Sequence, residues 1–210
     1  MRFLLTVALA SISACGNATR ARNASAPEQS PAAKVNADAG VQAFTPADVM
    51  FMQGMILHHA QAVVMAGWAP THGASEAVKI LAGRIDVGQR DEIAFMRRWL
   101  RDRHLPEFEY QASVPGMSMP DALMPGMLTP QQMQQLDAAR GVEFDRLFLT
   151  GMIQHHQGAL TMVDKLFSSQ GAGQEEYVFR FASDVSTDQT TEIDRMRLML
   201  AALSPKPDRP

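Results

Sequence analysis

The chain contains the same pattern of residues twice. Eight positions recur with identical residues and identical spacing 97 positions further on. The first copy consists of Phe51, Gly54, Met55, Ile56, His58, His59, Ala62 and Met65, and the second of Phe148, Gly151, Met152, Ile153, His155, His156, Ala159 and Met162. Asp48 and Asp145 extend the match upstream. This internal duplication predicts that two similar units make up the folded part of the chain.

A second match follows each copy. The run Gln89, Glu92, Ile93 and Met96 returns 100 positions later as Gln189, Glu192, Ile193 and Met196. The members of each run share one face of a helix. Each half therefore predicts a long helix with a histidine pair, a loop and a second helix. One such hairpin is too small to bury a core, so the predicted fold is an all-α four-helix bundle of two duplicated hairpins over residues 44–203.

Capping signals set the predicted helix bounds. Thr45-Pro46 and Thr129-Pro130 each place a threonine cap before a proline at the first helical position. The predicted helices are 46 to 67 or 68, 75–103, a short helix after Thr129 that Gly141 interrupts, 142–168 and 175–203.

The N-terminus resembles an export signal. The apolar stretch from Leu4 to Ile12 is too short to span a bilayer and ends in Ile-Ser-Ala-Cys, which is similar to a bacterial lipobox. Residues 1–15 are therefore predicted as a lipoprotein-type signal, with Cys15 acylated and holding the chain at a membrane of the cell envelope. The alternative is an ordinary cleaved signal peptide with a stray cysteine. Residues 16–43 are predicted as a disordered tether and 204–210 as a tail.

Composition excludes other classes of protein. The formal net charge is −3 and the pI about 6.1, which gives no basic surface for nucleic acid. A single cysteine stands beside fifteen methionines, so disulfides do not hold the fold together.

Histidines and methionines of the repeats fall on core-facing arcs of the predicted helices. Paired imidazoles and thioethers suit copper better than a hard cation. The candidate ligands on the helices are His58, His59, His155, His156, Met55, Met152, Met65, Met162, Met96 and Met196. A glutamate on a core face needs a partner, so Glu92 and Glu192, with Asp48 and Asp145, are expected to orient the imidazoles. Since imidazole must be neutral to bind metal, binding should weaken near pH 6.5.

Each candidate also has a plainer interpretation. Methionine at helical spacing usually fills a core, and a lone buried histidine is more often a hydrogen-bonded core residue than a ligand. His72 and His104 have no repeat partner and are predicted to lie on the surface.

The connector between the halves is rich in methionine. Met117, Met119, Met124 and Met127 lie among prolines and glycines, where no helical face needs filling. Clustered thioethers are soft ligands suited to Cu(I) or Ag(I). The alternative is that these side chains cover one end of the bundle.

The repeated Gly-Met-Ile-x-His-His, the segment Met-Pro-Gly-Met-Leu-Thr-Pro and the run Phe144 to Phe148 resemble the bacterial domain-of-unknown-function family 305. The resemblance covers residues 44–203. It implies a ferritin-like four-helix bundle exported to the cell envelope, with copper binding in some members. No enzymatic activity follows from the resemblance. The chain lacks the Glu-x-x-His motif of di-iron bundles, which disfavours iron chemistry.

Three functions are compatible with these patterns. The first is an envelope protein that sequesters copper or silver, or passes it to an acceptor protein. The second is a metalloenzyme, which would require histidine ligands with an open coordination position. The third is a metal-free bundle with a buried His/Glu network and an interaction role, in which every imidazole nitrogen would meet a polar partner.

Overall fold

The computed structural model describes residues 43–107 and 124–203. Within these stretches the chain forms five α-helices and no strand: α1 (Pro46–Trp68), α2 (Glu76–Asp102), α3 (Pro130–Ala138), α4 (Val142–Ser168) and α5 (Glu176–Leu203). The predicted all-α fold is confirmed, and the four long helices match their predicted bounds to within one residue. The predictions for the signal segment, Cys15, the tether, the tail, Met117 and Met119 lie outside the described residues.

Local capping explains where two of the helices begin. The Thr45 side chain accepts from the N–H of Asp48, whose carboxylate accepts in return from the Thr45 N–H at 2.6 Å. Thr129 and Gln132 form the same reciprocal arrangement at the start of α3. Such capping boxes satisfy N–H groups that the first helical turn leaves unpaired.

The helices pack as two hairpins joined along their first members. α1 packs on α2, α4 packs on α5, and α1 also contacts α4. α1 alone among the described helices is long and apolar enough to cross a membrane by composition, with a mean hydropathy of 1.3. It is covered by α2, α4 and the connector, and a helix that is buried on several sides is expected to be apolar all round.

The core has two apolar clusters with the histidines between them. One cluster contains Met65 of α1 with Phe148 and Met152 of α4. The other contains Met55 of α1 and Val163 of α4. Later residues of α1 meet earlier residues of α4, so the two helices run antiparallel. The histidine pairs fall at the midpoint of both helices and separate the two clusters.

Two aspartates tie each hairpin to the loop of the other. Asp48 of α1 accepts from the Gly173 N–H at 2.7 Å, in the loop between α4 and α5. Asp145 of α4 accepts from the Ser75 N–H at 3.1 Å, just before α2. The carboxylates of Asp48 and Asp145 therefore hydrogen-bond to the loops. They were expected to orient the histidines, but they lie away from them along the helices.

His72 is not a surface residue, so that prediction is wrong. Its side chain is buried, and Nε2 lies 2.9 Å from the backbone oxygen of Asp137. The ring packs on Trp68 and Phe144, with centroids 5.9 and 5.1 Å away. The turn after α3 brings these partners together, which the sequence spacing does not show. His104 is exposed, as predicted.

Candidate metal centre

The four repeat histidines form one buried layer in the middle of the bundle. All four side chains have no exposed surface. The rings of His58 and His155, equivalent residues of the two repeats, lie with their centroids 3.8 Å apart. The rings of neighbouring histidines on one helix are 6.4 Å apart for His58 and His59, and 6.2 Å for His155 and His156. The two histidine pairs therefore meet in the middle of the bundle.

The inner two histidines are fixed by backbone carbonyl groups. His155 donates from Nε2 to the backbone oxygen of His58 at 2.9 Å. His58 donates from Nε2 to the backbone oxygen of Pro125 at 3.0 Å. Because a carbonyl oxygen can only accept, Nε2 carries the proton in both rings. In a neutral ring this leaves Nδ1 with a free lone pair.

The outer two histidines meet the glutamates that the sequence pattern placed opposite them. His59 Nε2 lies 2.5 Å from Glu92 Oε2, and His156 Nε2 lies 2.6 Å from Glu192 Oε2. The glutamates themselves are partly exposed, by 24% and 28% of their side chains. Carboxylates in this position fix the orientation and tautomer of an imidazole.

Burial keeps the inner imidazoles neutral. Desolvation, reinforced by the nearby His59, lowers the pKa of His58 to about 3. Desolvation and then the neighbouring His58 lower the pKa of His155 well below its usual value. Neutral imidazole is the form that binds metals. The expected loss of binding near pH 6.5 therefore does not apply to these two rings, since they remain neutral at that pH.

The Nδ1 atoms of all four histidines are buried and have no hydrogen-bond partner among the described residues. Buried polar atoms normally have partners, so four unpaired atoms of one kind in one layer fit a set of metal-binding nitrogens. Histidine, cysteine, aspartate and glutamate do not come together in groups of three anywhere in residues 43–107 and 124–203 to chelate an ion. A metal ion in this layer would therefore be bound by fewer than three of these side chains, or by thioethers in addition to the imidazoles.

The core methionines lie in the apolar clusters beside the histidine layer. Met55 and Met96 belong to one cluster, and Met65, Met152 and Met196 belong to the other. All five are fully buried. This placement agrees with the plainer interpretation that they fill the core.

Part of the connector packs tightly over α1 and α4. Residues 124–128, called the strap below, are held by Gln61, which donates to the Leu128 oxygen at 3.0 Å and accepts from its N–H at 2.7 Å. Gly158 of α4 allows close approach of the strap, because a Cβ there would lie 1.9 Å from the Pro125 oxygen. Gln61 and Gly158 are equivalent positions of the repeat, so the strap is bound where the two copies differ.

Three methionines line one groove beside the strap. The cavity, of about 190 Å³, is open to solvent and bounded by Met50 of α1, Met124 of the strap and Met162 of α4, with Gly54 at its base. A Cβ on Gly54 would lie 3.4 Å from both the Met124 sulfur and the Met162 methyl carbon. Those two atoms are thus no more than twice that distance apart. Met127, the fourth predicted connector ligand, is buried in the strap.

Sequence reasoning missed Met50, whose side chain is 64% exposed. Its counterpart in the second repeat is Leu147, so the duplication gave no reason to select it. Its position four residues before Gly54 was the available signal, since residues so spaced share a helix face.

The fold and site define a class of all-α bundles with duplicated hairpins and paired histidines at the centre. The chain belongs to the domain of unknown function 305 family (DUF305), whose model matches residues 48–200. Comparison with curated proteins gave no match.

Solved structures of the same fold include a DUF305 protein from Streptomyces coelicolor, with 28% identity, a TM-score of 0.65 and coverage of 78% of this chain and 97% of that one. A DUF305 fragment from Deinococcus radiodurans has 30% identity, a TM-score of 0.65 and coverage of 76% and 98%. CopM in its Cu(II)-bound form has 25% identity, a TM-score of 0.59 and coverage of 75% and 97%. CopM in its silver-bound form has 25% identity, a TM-score of 0.56 and coverage of 74% and 96%.

Proposed function

We propose that this protein binds Cu(I) or Ag(I) outside the cytoplasm, through thioethers in the groove between α1, α4 and the strap. The observation that carries the proposal is that Met50, Met124 and Met162 line a single solvent-open cavity. Thioether sulfur is a weak hydrogen-bond acceptor but a good ligand for soft monovalent ions. Three such groups at one opening match the ligand preference of Cu(I) and Ag(I).

The groove differs from the rest of the methionine-rich core in accessibility. Methionines inside the bundle are out of reach of an incoming ion unless the helices separate. Met50 is exposed, and Met124 and Met162 are partly exposed. Gly54 keeps the base of the groove open, because a side chain there would fill the space between the two partly exposed thioethers.

The histidine layer offers a second set of ligands for the same ions. Pro125 lines the groove, and its backbone oxygen accepts from the His58 imidazole. The groove and the layer are thus separated by the thickness of the strap. Displacing the strap would give an ion bound at the groove a route to the unpaired Nδ1 atoms, which supports a role in holding copper as well as receiving it.

The relatives support an extracytoplasmic metal-binding role. CopM, at 25% identity, has been solved with Cu(II) and with silver bound. The Streptomyces coelicolor relative is named as a secreted protein. Residues 1–15 of this chain carry a signal-like segment ending in Cys15. A lipid anchor at Cys15 would keep the bundle in the cell envelope, where it could sequester copper or pass it to an acceptor protein.

A metal-free polar network is the second candidate function. The observation that favours it is that Nε2 of every histidine in the layer already has a carbonyl or carboxylate partner. The unpaired Nδ1 atoms argue the other way. In that case the buried histidines would hold the two hairpins together without a metal, and any interaction role would belong to the surface of the bundle.

Metal titration with two sets of variants separates these possibilities. Cu(I) binding would be measured in competition with a chromophoric chelator, for the wild type and for a variant with Met50, Met124 and Met162 changed to leucine. Leucine nearly conserves volume, so the fold should persist. The control changes Met52, Met133 and Met199 to leucine. The proposal predicts loss of the tightest Cu(I) site in the first variant only.

The histidine layer is tested by replacing its four histidines with glutamine. If this variant folds but no longer takes up a second equivalent of Cu(I) that the wild type binds more slowly, the result would support a site at the imidazoles. Full stoichiometry in that variant would assign the layer to the polar network. Unchanged Cu(I) binding in the groove variant would reject the groove as the metal site.

A further inference from the structure

A second cavity lies between α2 and α5 and has different chemistry from the methionine groove. Its volume is about 180 Å³, and it contains no sulfur among its lining residues. The side chains that matter are those of Arg84, Gln89, Glu92, Asp188, Gln189 and Glu192. Three carboxylates against one guanidinium give this cleft a formal net charge of −2 when all are ionised.

Two buried amides line the same cleft. Gln89 and Gln189 are 4% and 2% exposed. The Oε1 atom of Gln89 and both polar side-chain atoms of Gln189 have no hydrogen-bond partner among the described residues. Leaving such a group unpaired in a buried position costs about 1–3 kcal/mol. The two amides occupy equivalent positions of the repeats and line one acidic cleft. Their unpaired atoms indicate that the cleft has a polar occupant.

The crowding of carboxylates points to a cation as that occupant. Partial desolvation, followed by the charges of Glu92 and Glu192, raises the pKa of Asp188. Glu92 and Glu192 each use Oε2 for a histidine, so Oε1 is the oxygen available to the cleft. Oxygen ligands of this kind suit hard cations such as Mg²⁺ or Mn²⁺ and are poor ligands for Cu(I).

The volume of the cleft determines whether a bound cation could keep its water molecules. The carboxylates of the described chain do not converge in threes as a direct chelating group. Each water occupies about 30 Å³ of liquid volume, so a cleft of about 180 Å³ has room for an ion with several waters. Mg²⁺ gives up water reluctantly and is usually bound through one or two carboxylates.

We infer that the α2–α5 cleft binds a hydrated, oxygen-preferring divalent cation of the Mg²⁺ class, through Asp188, Glu92, Glu192 and the amide oxygens of Gln89 and Gln189. The site shares no residue with the methionine groove, although Glu92 and Glu192 also hydrogen-bond His59 and His156 of the histidine layer. A cation bound there would link α2 of the first hairpin to α5 of the second.

Mn²⁺ titration followed by electron paramagnetic resonance tests this site. Free hexaaqua Mn²⁺ gives a strong six-line signal that diminishes on binding, and Mg²⁺ should compete for the same place. The expected result is one Mn²⁺ per chain that excess Mg²⁺ displaces. Asp188→Asn should weaken Mn²⁺ binding by about tenfold or more, which corresponds to about 1.4 kcal/mol. Asp188 is exposed, so this change should leave the fold intact.

Two further variants control for general charge effects and for the copper site. Glu143→Gln removes one exposed carboxylate of α4 and should leave Mn²⁺ binding unchanged. The triple leucine variant of the methionine groove should also bind Mn²⁺ normally, even though it loses Cu(I). Absence of Mg²⁺-displaceable Mn²⁺ binding in the wild type, or equal binding in Asp188→Asn and Glu143→Gln, would overturn the inference without affecting the groove.

Discussion

His155 donates its Nε2 proton to the backbone oxygen of His58, which is its own counterpart in the repeat, at 2.9 Å. The reciprocal bond is not made, because the His58 ring turns to the Pro125 oxygen of the strap. The equivalence of the two repeats is therefore broken at the centre of the bundle. The strap and the methionine groove occupy the side on which the symmetry is lost.

Close approach of the strap to α4 depends on Gly158. A Cβ at this position would lie 1.9 Å from the Pro125 oxygen and 2.5 Å from the Gly126 Cα. Both are backbone atoms, which cannot move aside as a flexible side chain can. Gly158→Ala should lower the free energy of unfolding by about 1–3 kcal/mol, the usual range for overpacking. Gly83→Ala, in open space on α2, should instead stabilise the protein by up to about 1 kcal/mol. Urea denaturation of both variants measures the difference, and equal effects would contradict the packing described for the strap.

Gln61 provides the polar attachment of the strap. Its amide makes two buried hydrogen bonds with the backbone of Leu128. Gln61→Leu should cost about 2–4 kcal/mol of stability, because it leaves a buried N–H and a buried carbonyl unpaired. Gln134→Leu, at an exposed position of α3, is the matched control and should change little. Hydrogen exchange at the Leu128 amide should accelerate in the first variant only, and a protected amide there would argue against the attachment.

Acidification should destabilise the bundle through its inner histidines. The pKa of His58 is about 3 in the folded protein, against about 6.5 when unfolded, so the unfolded chain binds more protons between these values. Stability is therefore complete above pH 6.5 and declines as the pH falls below it, by up to about 1.4 kcal/mol per pH unit for each such histidine. Denaturation between pH 7.5 and 5 checks this slope. Changing His58 and His155 to glutamine should flatten it, and His104→Gln should not.

Membrane attachment is predicted to depend on Cys15. Acylation at this residue should bring the protein into the membrane fraction, and Cys15→Ala should release it or leave it unprocessed. Fractionation of cells that produce each form, with mass spectrometry of the N-terminus, is the measurement. Unchanged membrane association without the cysteine would reject the lipid anchor but would leave export unaffected.

The duplication was enough to predict the architecture. Equal spacing of His58 and His155 within matching helices required the two hairpins to present their histidines in the same way. The stripe that carries Glu92 predicted its contact with His59 for the same reason, since a core-facing carboxylate needs a donor. Helix bounds followed from caps and prolines, which are local signals.

The strap and the groove could not be predicted in the same way. They depend on Gln61 and Gly158, which occupy one repeat position but differ in chemistry, and sequence comparison of the repeats discards such differences. Met50 was missed because its counterpart is a leucine. His72 was predicted wrongly because its partner Asp137 is 65 residues away, in the last turn of α3.

X-ray absorption at the copper edge identifies the atoms that bind copper. The purified protein would be loaded with one equivalent of Cu(I) under reducing conditions, alongside the variant in which Met50, Met124 and Met162 are leucine. We expect sulfur scatterers around copper in the wild type and their loss in the variant, with the Met52, Met133 and Met199 variant unchanged. Copper surrounded only by nitrogen or oxygen in the wild type would contradict a thioether site in the groove.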